Sequence, residues 1–116
     1  MRMGETTRKT LQFMGTSYND LKAFPNEARR DAGFNLDFVQ RGLDPENWKP
    51  MKTVGVGVNE IRLRDATGAY RVLYLATRRE AVYVLHCFQK KTEKTSQHDI
   101  DLAKKRFKAI PKSPRR

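Results

Sequence analysis

A single cysteine, Cys87, stands among 116 residues. An internal disulfide and a cysteine-rich zinc site are therefore excluded. Histidine is nearly as scarce. His86 and His98 have no cluster of carboxylates or thiols beside them, so no metal and no cofactor is expected. There is no plausible Ser-His-Asp or Cys-His constellation for nucleophilic catalysis. Val54-Gly-Val-Gly57 is too short and wrongly spaced for a dinucleotide or P-loop fingerprint and reads as a turn. No apolar run approaches the ~18–20 residues that span a bilayer. Met1 to Gly15 holds no apolar block ending in small residues, which argues against a signal peptide and for a cytoplasmic location. No helical stretch joins a basic face to a large aromatic one, so a membrane-surface role is not expected. Negative charge is also in short supply, with 13 acidic residues against 24 basic ones and a net charge of +11. Such a balance calls for a polyanionic partner.

Apolar residues make up 38% of the chain, enough for one core and not for two. One domain over residues 1–116 is expected, with flexible ends at 1–8 and 111–116. The charge is uneven: residues 90–116 hold 10 of the basic groups and only 3 of the acidic ones.

Local patterning divides the chain into recognisable pieces. Residues 9–14 alternate as a short strand that Gly15 closes. Ser17 and Asp20 have the spacing of a capping box, opening a helix that runs to Phe24. Pro25 breaks it and opens a second helix, in which Ala28, Ala32, Leu36 and Val39 form one apolar stripe and Gly42 supplies the stop. Residues 15–42 therefore read as a helical hairpin. Residues 43–53 read as an ordered loop, with Trp48 either plugging the core edge or stacking on a base. Strands follow at 58–65, 69–77 and 81–88, joined by Ala66-Thr67-Gly68 and by Arg78-Arg79-Glu80. The last strand is almost wholly apolar, as a central strand covered on both faces would be. A basic hinge over residues 89–95 leads to a helix over 96–110, with Ser96 as its cap and Ile100, Ala103, Phe107 and Ile110 along one side. The expected fold is α+β, with the helical hairpin packed on a mostly antiparallel sheet and a C-terminal helix beyond it.

Strand alternation puts Ile61 and Leu63 on the core side and Glu60, Arg62 and Arg64 on the other. Arg71 interrupts an apolar strand, where a charge must pair or face a cleft. Lys90, Lys91 and Lys94 leave the sheet just after its last strand. Side chains from neighbouring strands could converge there on a patch that holds a nucleic-acid backbone, because a guanidinium matches a phosphate bidentately. Arg62 and Arg64 also fit the wet face of a half-exposed sheet, and His86 also fits a satisfied core histidine. Cys87 is expected to point into the core.

Three segments, in order, resemble the RelE/ParE toxin superfamily, most of all its HigB-like, phage-derived branch. They are Lys49-Pro-Met-Lys52, then Glu60-Ile-Arg-Leu-Arg64 with Tyr70-Arg-Val-Leu-Tyr74, then Val82-Tyr-Val-Leu-His-Cys-Phe-Gln-Lys-Lys-Thr92. The resemblance covers about residues 9–110 and implies the toxin of a type II toxin–antitoxin system. RelE-type and HigB-type members cut mRNA in the ribosomal A site, whereas the ParE branch poisons DNA gyrase. The implied partners are the ribosome, mRNA and a helix-turn-helix (HigA-like) antitoxin that also carries the complex to operator DNA. Arg71 matches an arginine placed near the scissile phosphate. Arg62 and Arg64 match basic positions on the preceding strand, and Lys90, Lys91 and Lys94 match a basic segment after the last strand. Glu60 stands where RelE-type toxins often have lysine. The C-terminal helix lacks a tyrosine that some members use.

The resulting expectation is a metal-independent endoribonuclease. Arg71, His86 and Lys91 would be catalytic, with His86 or one of Lys90, Lys91 and Lys94 as the acid/base group. Arg62, Arg64, Lys52, Lys90 and Lys94 would hold the RNA, and Phe88 would stack on a base or fill the core. The alternatives are a gyrase inhibitor on the same scaffold and a non-catalytic RNA-binding protein.

Overall fold

A computed structural model describes residues 8–112. The elements run β1 (Thr10–Phe13), α1 (Ser17–Lys22), α2 (Asn26–Gln40), β2 (Trp48–Pro50), β3 (Val58–Asp65), β4 (Gly68–Leu75), β5 (Ala81–Lys90) and α3 (Gln97–Lys108). The five strands form one sheet in the order β1-β5-β4-β3-β2. Only the β1–β5 pairing is parallel. That pairing stops at Phe13 opposite Val84, so the rest of β5 has no described strand on that side.

Each face of the sheet carries its own apolar cluster. The α1–α2 hairpin buries Leu21, Ala28, Ala32, Leu36 and Val39 against Ile61, Leu63, Val72, Val82 and Val84. The expected stripe on the second helix is thus what packs against the sheet. On the opposite face Ala103 and Ile110 meet Val58, Leu73, Leu75, Tyr83 and Leu85. The β3–β4 turn is tight because the Asp65 carboxylate accepts hydrogen bonds from the Thr67 amide (2.8 Å) and hydroxyl (2.6 Å). Gly68 then takes φ 141°, open only to glycine.

The structure departs from the sequence expectations in three places. Trp48–Pro50 is a short edge strand rather than loop, and Trp48 is half-buried opposite Ile61. Thr16, not Ser17, occupies the cap position of α1. Ser17 is buried because its hydroxyl donates to the Val84 carbonyl at 3.1 Å. The last strand continues to Lys90, so the hinge is shorter than expected. Arg8, at the edge of the end expected to be flexible, makes a surface ion pair with Asp37 at 3.2 Å. The remaining expected flexible ends, 1–7 and 113–116, lie outside the described residues.

Ser96 caps α3 as expected. Its hydroxyl accepts from the Asp99 amide at 3.1 Å and donates to the Asp99 carboxylate at 2.7 Å. Arg106 fastens the helix to the sheet, donating to the Leu85 carbonyl and to the Thr16 hydroxyl, each at 3.0 Å. Gly15 makes room for this guanidinium: a Cβ there would stand 2.5 Å from Arg106 Nε. No helix among the described residues is long and apolar enough to cross a membrane.

Candidate nucleic-acid interface

Strand register decides which side chains share the α3 face. Arg62 pairs directly with Arg71 across β3 and β4, and Arg71 pairs with Phe88 on β5. One step along, Arg64, Ala69 and Lys90 form a row. One step the other way, Lys49, Glu60, Leu73 and His86 form another. Like charges directly opposite each other destabilise a sheet. The Arg62–Arg71 pairing therefore concentrates positive charge at a structural cost.

The register of β5 depends on a bulge. Tyr74 pairs with Val84 and Leu73 with His86, so Leu85 is the extra residue. Strict alternation would have sent His86 to the helical-hairpin side with Val82 and Val84. The bulge moves it to the α3 side, and the phase of Phe88 and Lys90 moves with it. Nothing in the local sequence announces this insertion.

Arg62, Arg64, Arg71, Lys90 and Lys91 line one groove of about 460 Å³, with Glu93 as its only lining carboxylate among the described residues. An adjoining hollow of about 310 Å³ shares Arg62, Lys90 and Glu93 and adds Lys49, Lys94 and Glu60. Lys52 is exposed in the turn after β2 and borders neither. Arg71 is 5% exposed, and its Nε lies 3.6 Å from the Glu60 carboxylate, itself 4% exposed. That separation makes an ion pair but not a hydrogen bond, and Arg71 Nε has no hydrogen-bond partner. One Nη of Arg71 donates to the Tyr70 carbonyl at 3.0 Å. Burial lowers the Arg71 pKa, Glu60 opposes that shift, and Arg62 and Arg64 add to it.

His86 and Phe88 lie apart from this groove. They border another hollow, of about 480 Å³, beside α1 and the open side of β5, together with Asp20, Phe24 and Tyr70. His86 Nε2 meets the Asp99 carboxylate at 2.7 Å, and its ring stacks on Phe88 with centroids 4.6 Å apart. Its Nδ1 is buried without a partner. Burial lowers the His86 pKa more than Asp99 raises it. Cys87 points into the hairpin-side core, where burial pushes its thiol well above the ordinary range. No group of three or more His, Cys, Asp or Glu is placed to hold a metal among the described residues.

Residues 19–108 match the family described as "Phage derived protein Gp49-like (DUF891)". The chain belongs to this family. No curated protein matches it. Among solved structures, the Escherichia coli toxin RelE in its free state, as a variant with two arginines replaced by alanine, is similar at a TM-score of 0.61. The identity is 17%, over 90% of this chain and 99% of that one. This Gp49-like chain therefore has the RelE fold, the α+β architecture expected from its sequence.

Sequence reasoning overlooked the nearest partner of Arg71 in this Gp49-like chain. Glu60 sits in phase with Arg62 and Arg64 on the same strand, so alternation had already put it on that face. Its burial between cations follows only from the pairing of β2, β3 and β4.

Proposed function

We propose that this chain is the toxin of a type II toxin–antitoxin pair and a metal-independent endoribonuclease that cuts mRNA on the ribosome. The observation that carries this reading is the groove in which five cations from two strand pairs and the following hinge gather around one wall of the sheet. Family membership and the RelE fold support it.

RNA can be cut by its own 2′-hydroxyl if cations stabilise the crowded phosphate and protons are moved at both oxygens. Arg71, rigidly held at the groove wall, takes the scissile phosphate. Arg62, Arg64, Lys90 and Lys94 follow the backbone on either side. Lys91, exposed at the rim, gives a proton to the departing 5′-oxygen. Phe88 serves the core and shields His86, whose Nε2 is committed to Asp99. Lys52 contacts RNA further along. In the cytoplasm a helix-turn-helix antitoxin of acidic complementarity would cover the groove and carry the complex to operator DNA.

The test is induced expression followed by mapping of mRNA 5′ ends in a translating extract. Ribosome-dependent cuts are expected, and Arg71→Ala should abolish them. Absence of such cuts, or unchanged cutting by Arg71→Ala, overturns the assignment. Continued translation with a gyrase block would favour the ParE-type activity instead.

A further inference from the structure

Residues 91–96 leave β5 at Lys90 and enter α3 at Gln97. Lys91, Thr92 and Glu93 line the groove, and Glu93, Lys94 and Thr95 line the adjoining hollow. Within this segment the Thr92 hydroxyl donates to the Lys94 carbonyl. Among the described residues, no side chain of 91–95 makes a hydrogen bond to the sheet or to α3. The placement of Lys91 and Lys94 therefore depends on how the two ends of the segment are held. Lys90 fixes the first end by pairing with Ala69. A relay holds the second. The Ser96 hydroxyl donates to one oxygen of the Asp99 carboxylate, and the other oxygen meets His86 Nε2, each at 2.7 Å. An ionised carboxylate has no proton to give, so Nε2 carries the hydrogen and Nδ1 is a bare acceptor, buried without a partner.

That orphaned nitrogen costs stability, and α3 does not need it for adhesion. Ala103 and Ile110 pack on the sheet, and Arg106 binds the Leu85 carbonyl and the Thr16 hydroxyl. Those contacts lie in the middle of the helix or beyond it, away from residues 91–96. An apolar side chain at position 86 would fill the space under α3 without the cost, but would not fix the first turn in one place. The His86 ring also stacks on Phe88, and Phe88 pairs with Arg71 across β5 and β4. The start of α3 is thus tied to the strand neighbour of the arginine at the groove wall.

We infer that His86 is a positioning residue that acts through Asp99 and Ser96 to hold the segment carrying Lys91 and Lys94 at the groove, a role that rests on the nuclease reading above. His86 itself moves no proton. A reacting group displaced by about 1 Å can lose about 10²-fold in rate. A lysine on a looser tether still attracts the RNA backbone. The tie should therefore govern cutting far more than binding.

The experiment uses the full chain with programmed ribosomes and reads cutting and binding separately. The binding probe is an mRNA with a single 2′-deoxy nucleotide at the cut position. His86→Leu should slow cutting by about tenfold or more, with binding held within about threefold. Asp99→Ala breaks the tie from the other side without touching the sheet, and should slow cutting by the same factor. His86→Gln places an amide N–H where Nε2 stood and should cut within about threefold of wild type. Adding His86→Leu to Lys91→Ala should cost less than about threefold more, whereas its loss should multiply with that of Arg62→Ala. Arg106→Ala loosens the far end of α3 and should cut within about threefold of wild type. Hydrogen exchange supplies a readout that needs no cutting. The Asp99 and Ile100 amides, bonded to the Ser96 hydroxyl and carbonyl, should exchange about tenfold faster in His86→Leu and near the wild-type rate in His86→Gln. Near-normal cutting by His86→Leu, no recovery in His86→Gln, multiplying losses for His86→Leu and Lys91→Ala, equal slowing by Arg106→Ala, or unchanged exchange overturns the inference. If the wild-type chain cuts no ribosome-bound mRNA, the nuclease reading falls, and the exchange rates alone decide whether His86 holds the segment.

Discussion

Glu60 and Arg71 are a buried ion pair in a neighbourhood of uneven charge, so removing one partner should not cost the same as removing the other. Their side chains are 5% and 7% exposed. Breaking a buried pair by deleting one member costs about 3–5 kcal/mol. Arg71 borders an open groove, so water partly screens it and the low end, about 3 kcal/mol, applies. Glu60→Gln leaves Arg71 directly opposite Arg62 and near Arg64 with no counter-charge. Arg71→Met instead leaves Glu60 paired across the ladder with Lys49 and beside Arg62, and it relieves the Arg62–Arg71 repulsion. Glu60→Gln should therefore cost about 3 kcal/mol and Arg71→Met about 1 kcal/mol. In urea, with a slope of about 2 kcal/mol/M, the first should lower the unfolding midpoint by about 1.5 M. Inorganic phosphate should stabilise Glu60→Gln more than wild type, because an anion in the groove replaces the missing carboxylate. A Glu60→Gln, Arg71→Met double variant should lose less than the two single losses added. The reasoning is refuted if Arg71→Met is the more damaging change, if the single losses simply add, or if phosphate stabilises both proteins equally.

Gly15 has φ 56°, and a Cβ there would strike Arg106, so Gly15→Ala should lose roughly 2–4 kcal/mol through backbone strain and the displaced Arg106 hydrogen bonds. Gly33→Ala, inside α2 with nothing within 4 Å, should gain about 0.5–1 kcal/mol; thermal unfolding of the two variants checks the opposite signs. The folded-state pKa of His86 is lowered, so below its unfolded value of about 6.5 the unfolded chain binds more protons. Stability should be fully present above that pH and fall as the pH drops through 6.5 and below, and His86→Gln should remove this part of the slope in melts between about pH 7 and pH 5. Arg62→Ala should weaken binding of single-stranded RNA and flatten its log–log salt dependence by about 0.7, as expected for one lost phosphate contact; a slope unchanged from wild type would remove Arg62 from the interface.

Much of this fold was legible because the signals were local. The stripe of Ala28, Ala32, Leu36 and Val39, the stop at Gly42, the Ser96 cap and the alternation of β3 each depend on a few adjacent residues. Where tertiary contacts decided, local reading went astray. The spacing of Ser17 and Asp20 pointed to Ser17 as the cap of α1, but the long-range bond from Ser17 to the Val84 carbonyl takes that hydroxyl elsewhere, and Thr16 holds the cap position. β2 is three residues long and ends in proline, so no period of two could reveal it. Its strand character comes from pairing with β3.

The candidate site follows the same division, with consequences for its chemistry. Arg62, Arg64 and Arg71 could be placed on one face from strand periodicity and the short turn at Gly68, because a hairpin register carries that phase from β3 into β4. The step from β4 to β5 is different. The extra residue Leu85 shifts the pairing by one, and with it every side chain that follows. Without the bulge, His86, Phe88 and Lys90 would fall on the hairpin side, and the groove would lose a cation from its wall. With it, Lys90 joins the arginines, Phe88 lies across from Arg71, and His86 is drawn against Asp99. One inserted residue thus completes the positive groove and brings the histidine onto the same face, where Asp99 and Phe88 hold it beside the groove and not in it. Glu60, two residues before Arg62 on β3, reaches that face without any help from β5, because the alternation of its own strand already puts it there beside Arg71.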